Sequence, residues 1–315
     1  MIKKILIDCD PGVDDSLAIL FALYRKDVEI AGITTGIGNV TAAQGAENAL
    51  RILKLAGAED KIPVCAGAEC TIAGETEEFP EFIHGKNGIG NVELPESQQK
   101  TVEKDVCDFI YEKACQYEHE LVLVLLGRMT NIANTIKKYP DFSKKIKQVV
   151  AMGGAVGTFG NVGPEVEANI GGDPEAADIV VQAAWDVTMV GLDVTMNTHL
   201  RMQDVEEACR YCREECRPVL EFAKNELEYY MEGARKQNWM RGCCPFHDPL
   251  AMIVAVNPGV VFTQKRITRI ECNGKYTRGK VVTDLREYPI EGRYVTHCLQ
   301  VDSVRALNEF FAVFQ

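Results

Sequence analysis

The chain has 315 residues, 46% of them hydrophobic and 25% charged, which is long enough to bury a large core without disulfide or metal staples. Its 34 Lys and Arg against 46 Asp and Glu leave a net charge of −12, the wrong sign for a nucleic-acid or anionic-membrane partner. No window approaches the roughly 18 apolar residues of a membrane span, and the opening MIKKILIDCDPG has too short an apolar run for a signal peptide, so a cytoplasmic protein with reduced thiols is expected.

In chain order, residues 5–8 read as a first strand ending in a turn. Leu17, Leu20, Phe21 and Tyr24 at helical spacing predict a helix over 15–24. A strand over 28–35, a helix over 42–56 and a short strand over 62–66 follow. A Gly- and Glu-rich stretch then runs to residue 92. Further buried strands are expected at 121–126, 146–152 and 187–192, with helices at 100–117, 129–139 and 174–184 between them. Strand and helix in repeated alternation mean crossover connections and a mostly parallel sheet. After Met202 one long helix is expected to about residue 236. Residues 260–297 read as short antiparallel strands, and 301–314 as a last helix. No linker composition and no internal repeat divides the chain. The expected fold is therefore α/β: an open, mostly parallel Rossmann-like sheet flanked by helices, with a C-terminal helical and antiparallel extension, in a single domain over 1–315.

In such a fold ligands bind at the C-terminal edge of the sheet. The polar, Gly-rich segments fall there: 8–15, 36–41, 153–173 and 193–197. Asp8-Cys9-Asp10-Pro11-Gly12-Val13-Asp14-Asp15 packs four carboxylates into eight residues. Their repulsion is costly unless a cation or hydrogen-bond donors offset it, and hard oxygen ligands suit Ca²⁺ or Mg²⁺. The alternative is a solvated acidic turn in which Asp14 or Asp15 caps the next helix. Asp173-Pro174 reads as a helix start. Cys209, Cys212 and Cys216 would share one helix face, and a zinc site there would need a fourth ligand.

Four segments in order resemble the inosine-uridine nucleoside hydrolase family: 8–15; Gly36-Ile37-Gly38-Asn39-Val40; Met152-Gly153-Gly154 with Gly160-Asn161-Val162, Glu167-Ala168-Asn169 and Asp173-Pro174-Glu175-Ala176-Ala177; and His247-Asp248-Pro249-Leu250-Ala251. The resemblance implies hydrolysis of the N-glycosidic bond of ribonucleosides to ribose and free base. It implies a Ca²⁺ ion at the pocket floor, held by Asp10, Asp15, Asp248 and the Leu126 carbonyl, with Asp10 as general base toward the attacking water. Asp14, Asn169 and Asp248 would grip the ribose diol, with Asn39 in support. Asn161 and Glu167 would hold the 5′-hydroxyl, and Met152 would line the sugar. His247 would protonate the leaving base; His84, in a Gly-rich loop that is either a lid or plain surface, and Trp239, which either stacks on the base or packs in the core, would lie beside it. The family forms homodimers or homotetramers. Where it commonly shows Thr-Gly-Pro-Leu-Thr-Asn, this chain reads Leu126-Gly127-Arg128-Met129-Thr130-Asn131, which frees φ and adds a charge near an acidic pocket. Two other readings remain open: a non-catalytic nucleoside or ribose sensor on this fold, and a metal-dependent phosphatase.

Overall fold

The structure, a computed structural model, describes residues 2–76, 78–238 and 240–315. Strand and helix alternate through β1 (Lys3–Cys9), α1 (Val13–Tyr24), β2 (Val28–Thr35), α2 (Ala42–Leu55), β3 (Val64–Ala66), α3 (Glu81–His84), α4 (Val106–Gln116), β4 (Leu121–Leu125), α5 (Thr130–Lys138), α6 (Phe142–Lys145), β5 (Gln148–Met152), α7 (Ala168–Gly172), α8 (Pro174–Gln182) and β6 (Val187–Val190). Then come α9 (Leu192–Thr195), β7 (His199–Arg201), α10 (Met202–Tyr211), α11 (Arg217–Asn238), β8 (Cys243–Pro245) and α12 (Asp248–Val256). The chain ends with β9 (Val261–Ile270), β10 (Val281–Asp284), β11 (Arg293–Val301) and α13 (Ser303–Ala312).

Nine strands form one sheet in the order β10-β9-β11-β6-β5-β4-β1-β2-β3. All neighbours from β3 to β11 run parallel; β9 is antiparallel to β11, and β10 to β9. The strands are apolar on both faces because helices cover both. Along β1, Ile5, Ile7 and Cys9 face the layer that holds α1, α2 and α12, whereas Leu6 faces α4, α5 and α8. β4 splits likewise, with Val122 and Val124 on one side and Leu121, Leu123 and Leu125 on the other. The chain leaves β1 toward β2 and β3, then returns to β4 on the opposite side. This reversal opens a crevice between the C-terminal ends of β1 and β4, the place where open α/β sheets bind ligands.

Three expectations change. The helix expected from residue 100 starts at Val106, because the Val102 amide pairs with the Val64 carbonyl at 2.8 Å and Asp105 caps the helix at Cys107 and Asp108. The long helix after Met202 is two helices, broken at Cys212 and Arg213, whose backbones are extended. Cys209, Cys212 and Cys216 therefore do not share a helix face, and among the described residues the metal-compatible group consists of aspartates instead. The C-terminal strands pair antiparallel as expected, and they join the main sheet through the parallel β11–β6 pair. The wholly buried helix α12 carried no amphipathic signal, since all nine of its residues are inside.

Candidate active site

The acidic loop is not solvated. Asp8, Asp10, Asp14 and Asp15 are all buried, Asp15 completely. Gly12, not an aspartate, is the N-cap of α1. Asp15, in the first turn, reaches back and accepts from the Gly12 amide at 2.9 Å and the Asp10 amide at 3.2 Å. That pull curls the loop so that Asp10, Asp14 and Asp15 gather over the end of β1. Asp8 lies deeper. It accepts from Thr34 Oγ1 at 2.6 Å and Asn131 Nδ2 at 2.8 Å, which fastens β1 to β2 and α5.

The pocket over this floor has a volume of about 500 Å³. Asp10, Asp14, Asn39, His84, Leu126, Met152, Asn161, Glu167, Asn169, His247 and Asp248 all line it. Asp15 lies beneath it, and Trp239 falls outside the described residues. Asn39 steadies two carboxylates: its amide donates to Asp10 Oδ2 at 2.6 Å and its Nδ2 to Asp15 Oδ2 at 3.2 Å. Asn169 Nδ2 donates to the Leu126 carbonyl at 2.6 Å and contacts the Met152 carbonyl at 3.2 Å, which ties α7 to the ends of β4 and β5. Glu167 caps α7 and accepts from the amides of Asn169, Ile170 and Gly154. Asn161 Oδ1 accepts from the Ala168 amide at 3.0 Å. His247 precedes α12, with Nδ1 2.8 Å from Thr195 Oγ1.

Gly38 and Gly127 hold Asp10 between them. A Cβ at Gly38 would stand 1.9 Å from Asp10 Oδ2, and one at Gly127 2.3 Å from Oδ1. Neither overlap is compatible with the present carboxylate position. Gly38→Ala is therefore expected to lower kcat by about 100-fold or more while leaving the circular dichroism spectrum unchanged, because small misplacements of reacting groups are costly. Unaltered turnover in that variant would show that the position of Asp10 is not critical.

Asp14, Asp15 and Asp248 bring carboxylate oxygens within 4.8 Å of one another, and Asp10, held together with Asp15 by Asn39, adds a fourth carboxylate at the edge of this group. Burial drives all four protonation equilibria upward, and the charges of neighbouring aspartates add to it at Asp10, Asp14 and Asp248, whereas hydrogen bonds from the Gly12 and Asp10 amides oppose it at Asp15. Asp10 and Asp248 lie well above the usual carboxylate range, Asp15 is raised, and Asp14 is pushed up to about 7. Asp10 Oδ1 and Asp14 Oδ1 are buried and have no hydrogen-bond partner among the described residues. Orphaned buried oxygens in an all-oxygen donor set are what a hard divalent cation satisfies, so the residues fit such an ion. Burial acts the other way on the two histidines, lowering His84 to about 3 and His247 to about 4, so both imidazoles are neutral at pH 7.

The Gly-rich segment after His84 is folded down onto the protein. His84 is buried, and its Nδ1 accepts from the Val13 amide at 3.2 Å. Asn48 Nδ2 holds the Asn87 carbonyl at 2.8 Å, and Gly90 packs on the Glu226 backbone with φ of +65°. These glycines permit close approach of backbone to backbone. Tyr230, Ile83 and Gln237 also line the pocket and were not singled out from the sequence. Tyr230 donates to Asp14 Oδ2 at 3.3 Å, and its ring centroid lies 5.4 Å from that of His84. Tyr230 and Gln237 sit two turns apart on one face of α11, a spacing that was visible in the sequence but gave no sign of which way the face points.

A model of the inosine-uridine preferring nucleoside hydrolase family matches residues 5–308. Uridine nucleosidase 1 of Arabidopsis thaliana is 37% identical over 272 residues, 86% of this chain and 79% of its own. A purine-preferring ribonucleoside hydrolase from Gardnerella vaginalis superposes with a TM-score of 0.91 at 37% identity, over 99% of this chain and 98% of its own. A plant nucleoside hydrolase superposes with a TM-score of 0.92 at 31% identity, over 99% and 98%. The chain belongs to the inosine-uridine preferring nucleoside hydrolase family, whose members hydrolyse ribonucleosides to free base and ribose.

Proposed function

We propose that this chain, acting over 1–315 as a single cytoplasmic domain within a homodimer or homotetramer, uses Ca²⁺ to hydrolyse the N-glycosidic bond of ribonucleosides. The observation that carries this reading is the floor of four buried carboxylates at the β1–β4 crevice, two of whose oxygens have no hydrogen-bond partner among the described residues. Asp10, Asp15, Asp248 and the Leu126 carbonyl would hold the ion, with Asp14 close enough to contribute. When bound, Ca²⁺ supplies a fixed positive charge that favours ionisation of water and anchors a vicinal diol.

The residues supply the rest. Asp10 takes the proton of the attacking water on Oδ1, the oxygen with no hydrogen-bond partner among the described residues, while the Asn39 amide holds Oδ2. Asp14, Asn169 and Asp248 grip the ribose hydroxyls. Asn161 and Glu167 face the 5′-hydroxyl, and Met152 lies against the sugar. Cleavage of the C1′–N bond builds oxocarbenium character, which the surrounding carboxylates stabilise. The base leaves poorly as an anion, so a proton donor on its side lowers the barrier. His247 would fill that role: in the tautomer where the Thr195 hydroxyl donates to Nδ1, the ring proton sits on Nε2 and is shared with the base nitrogen as the C1′–N bond opens. His84 is set in the same tautomer by the Val13 amide and flanks the base with Tyr230.

Two measurements test this. Ribose release from inosine, uridine and cytidine is expected, with no phosphate from nucleotides or sugar phosphates; binding without release would favour a sensor, and phosphate release a phosphatase. His247→Ala is expected to slow natural nucleosides by about 100-fold or more, yet spare p-nitrophenyl riboside, whose leaving group needs no proton. Equal losses on both would remove His247 from leaving-group protonation.

A further inference from the structure

The sequence marks Asp173 as the start of a helix and nothing more. In the structure its carboxylate, 1% exposed, serves three segments at once. Oδ1 accepts from the Ala176 amide at 3.1 Å and caps α8. Oδ2 accepts from Thr130 Oγ1 at 2.7 Å and from the Ile72 amide at 2.8 Å. The first of these partners opens α5, two residues after Arg128 of the pocket wall. The second opens the rim segment that reaches the pocket at Glu78 and Pro80. Asp173 itself follows Gly171 and Gly172, which also line the pocket.

The rim segment closes on itself through Thr71: its amide donates to the Glu75 carbonyl, its hydroxyl accepts from the Glu75 amide, and its carbonyl accepts from the Gly74 amide. Such a turn is rigid internally but needs an anchor to hold its place. The flanking anchors are Glu69, three residues before Ile72, on the amides of Ala42 and Ala43, and the Glu81 carbonyl, which accepts from Tyr229. Asp173 supplies the fixed point between them. The same carboxylate holds the start of α5 through Thr130, and beside it Gly172 leaves space for the Arg128 side chain, whose Nε would lie 2.3 Å from a Cβ there.

We propose that Asp173 is a positioning residue for this reaction, holding the rim residues 71–76, the Arg128 loop and the α7–α8 junction in register as one wall of the nucleoside pocket. None of its bonds reaches the carboxylate floor, so the effect falls on substrate binding more than on the chemical step. This rests on the nucleoside hydrolase reading above.

Asp173→Asn tests it. The retained oxygen keeps the α8 cap, whereas an amide nitrogen in place of Oδ2 cannot accept from Ile72. The expected result is a KM for the preferred ribonucleoside raised about 10-fold or more, with kcat within about 3-fold of the parent and faster amide exchange over 70–76. Thr130→Val is expected to raise KM by a smaller factor, and Thr130→Ser to restore the parent value. A folded Asp173→Asn variant with parental KM overturns the proposal, as does an equal fall in kcat and kcat/KM at unchanged KM. Should Asp173→Asn fail to fold, a parental KM in Thr130→Val overturns it instead. Failure of the hydrolase reading would show separately, as a parent protein that releases no ribose.

Discussion

Asp10→Ala is expected to lower kcat for every cleaved nucleoside by about 1,000-fold or more, with secondary structure retained. A positioned general base contributes 10²–10⁴-fold, and Asp10 is also proposed to hold the ion, so the two losses combine. The fold should survive because the carboxylate earns little stability. It is buried, its equilibrium lies well above the carboxylate range, and Oδ1 has no hydrogen-bond partner among the described residues. Asp10→Asn is the sharper variant, since it keeps the volume and an acceptor for the Asn39 amide. Steady-state ribose release and far-ultraviolet circular dichroism decide the matter. Turnover within 10-fold of the parent in either variant would take Asp10 out of the chemistry.

Chelation is expected to make stability strongly pH-dependent. Without a divalent ion, Asp14 has its equilibrium at about 7 in the folded chain, against an ordinary 3.8, because of burial first and the Asp15 charge second. Asp10, Asp15 and Asp248 shift in the same direction. A carboxyl whose folded value is raised binds its proton more tightly when folded. Its stabilisation is fully present below the unfolded value and is lost as pH rises through the folded one. For Asp14 alone the rise to about 7 corresponds to about 4 kcal/mol. In chelator, Tm is therefore expected to fall by on the order of 10 °C between pH 5 and pH 8. In excess Ca²⁺ the fall should largely vanish, because an ion that binds only the folded state offsets the repulsion. Differential scanning calorimetry at both pH values reads this out. A Tm in chelator that is flat or rises with pH would mean that the cluster is not electrostatically strained.

The sheet was legible because its strands are short β-branched runs, apolar on both faces and ended by Asp or Gly. The runs at 28–35 and 187–192 lie on β2 and β6, and the acidic, Gly-rich segments collect at the crevice as their place after strands requires. The site was legible wherever chemistry and spacing coincide, as in Asp10, Asp14 and Asp15. Side chains that act across the fold were not. Asp173 meets Ile72 over 101 residues of sequence, and no local pattern records that. Tyr230 lies on an amphipathic helix whose buried face looks the same whether it packs on a core or on a pocket. The roles of Gly38 and Gly127 depend on distances to Asp10 alone. The break between α10 and α11 was marked by Pro218, which a helix interior does not tolerate and which sits in the first turn of α11. All 12 cysteines are free, and Cys9, between two acidic residues, packs with its thiol toward the Thr34 carbonyl at 3.6 Å.

The central claim is that one carboxylate floor both binds the cation and hydrolyses the nucleoside. Titrating Ca²⁺ into the chelator-stripped protein while following ribose release from its preferred ribonucleoside tests this directly. The account predicts negligible turnover in the stripped protein and full recovery on binding of a single ion, with no recovery in Asp10→Ala. Undiminished ribose release from the stripped protein would contradict it.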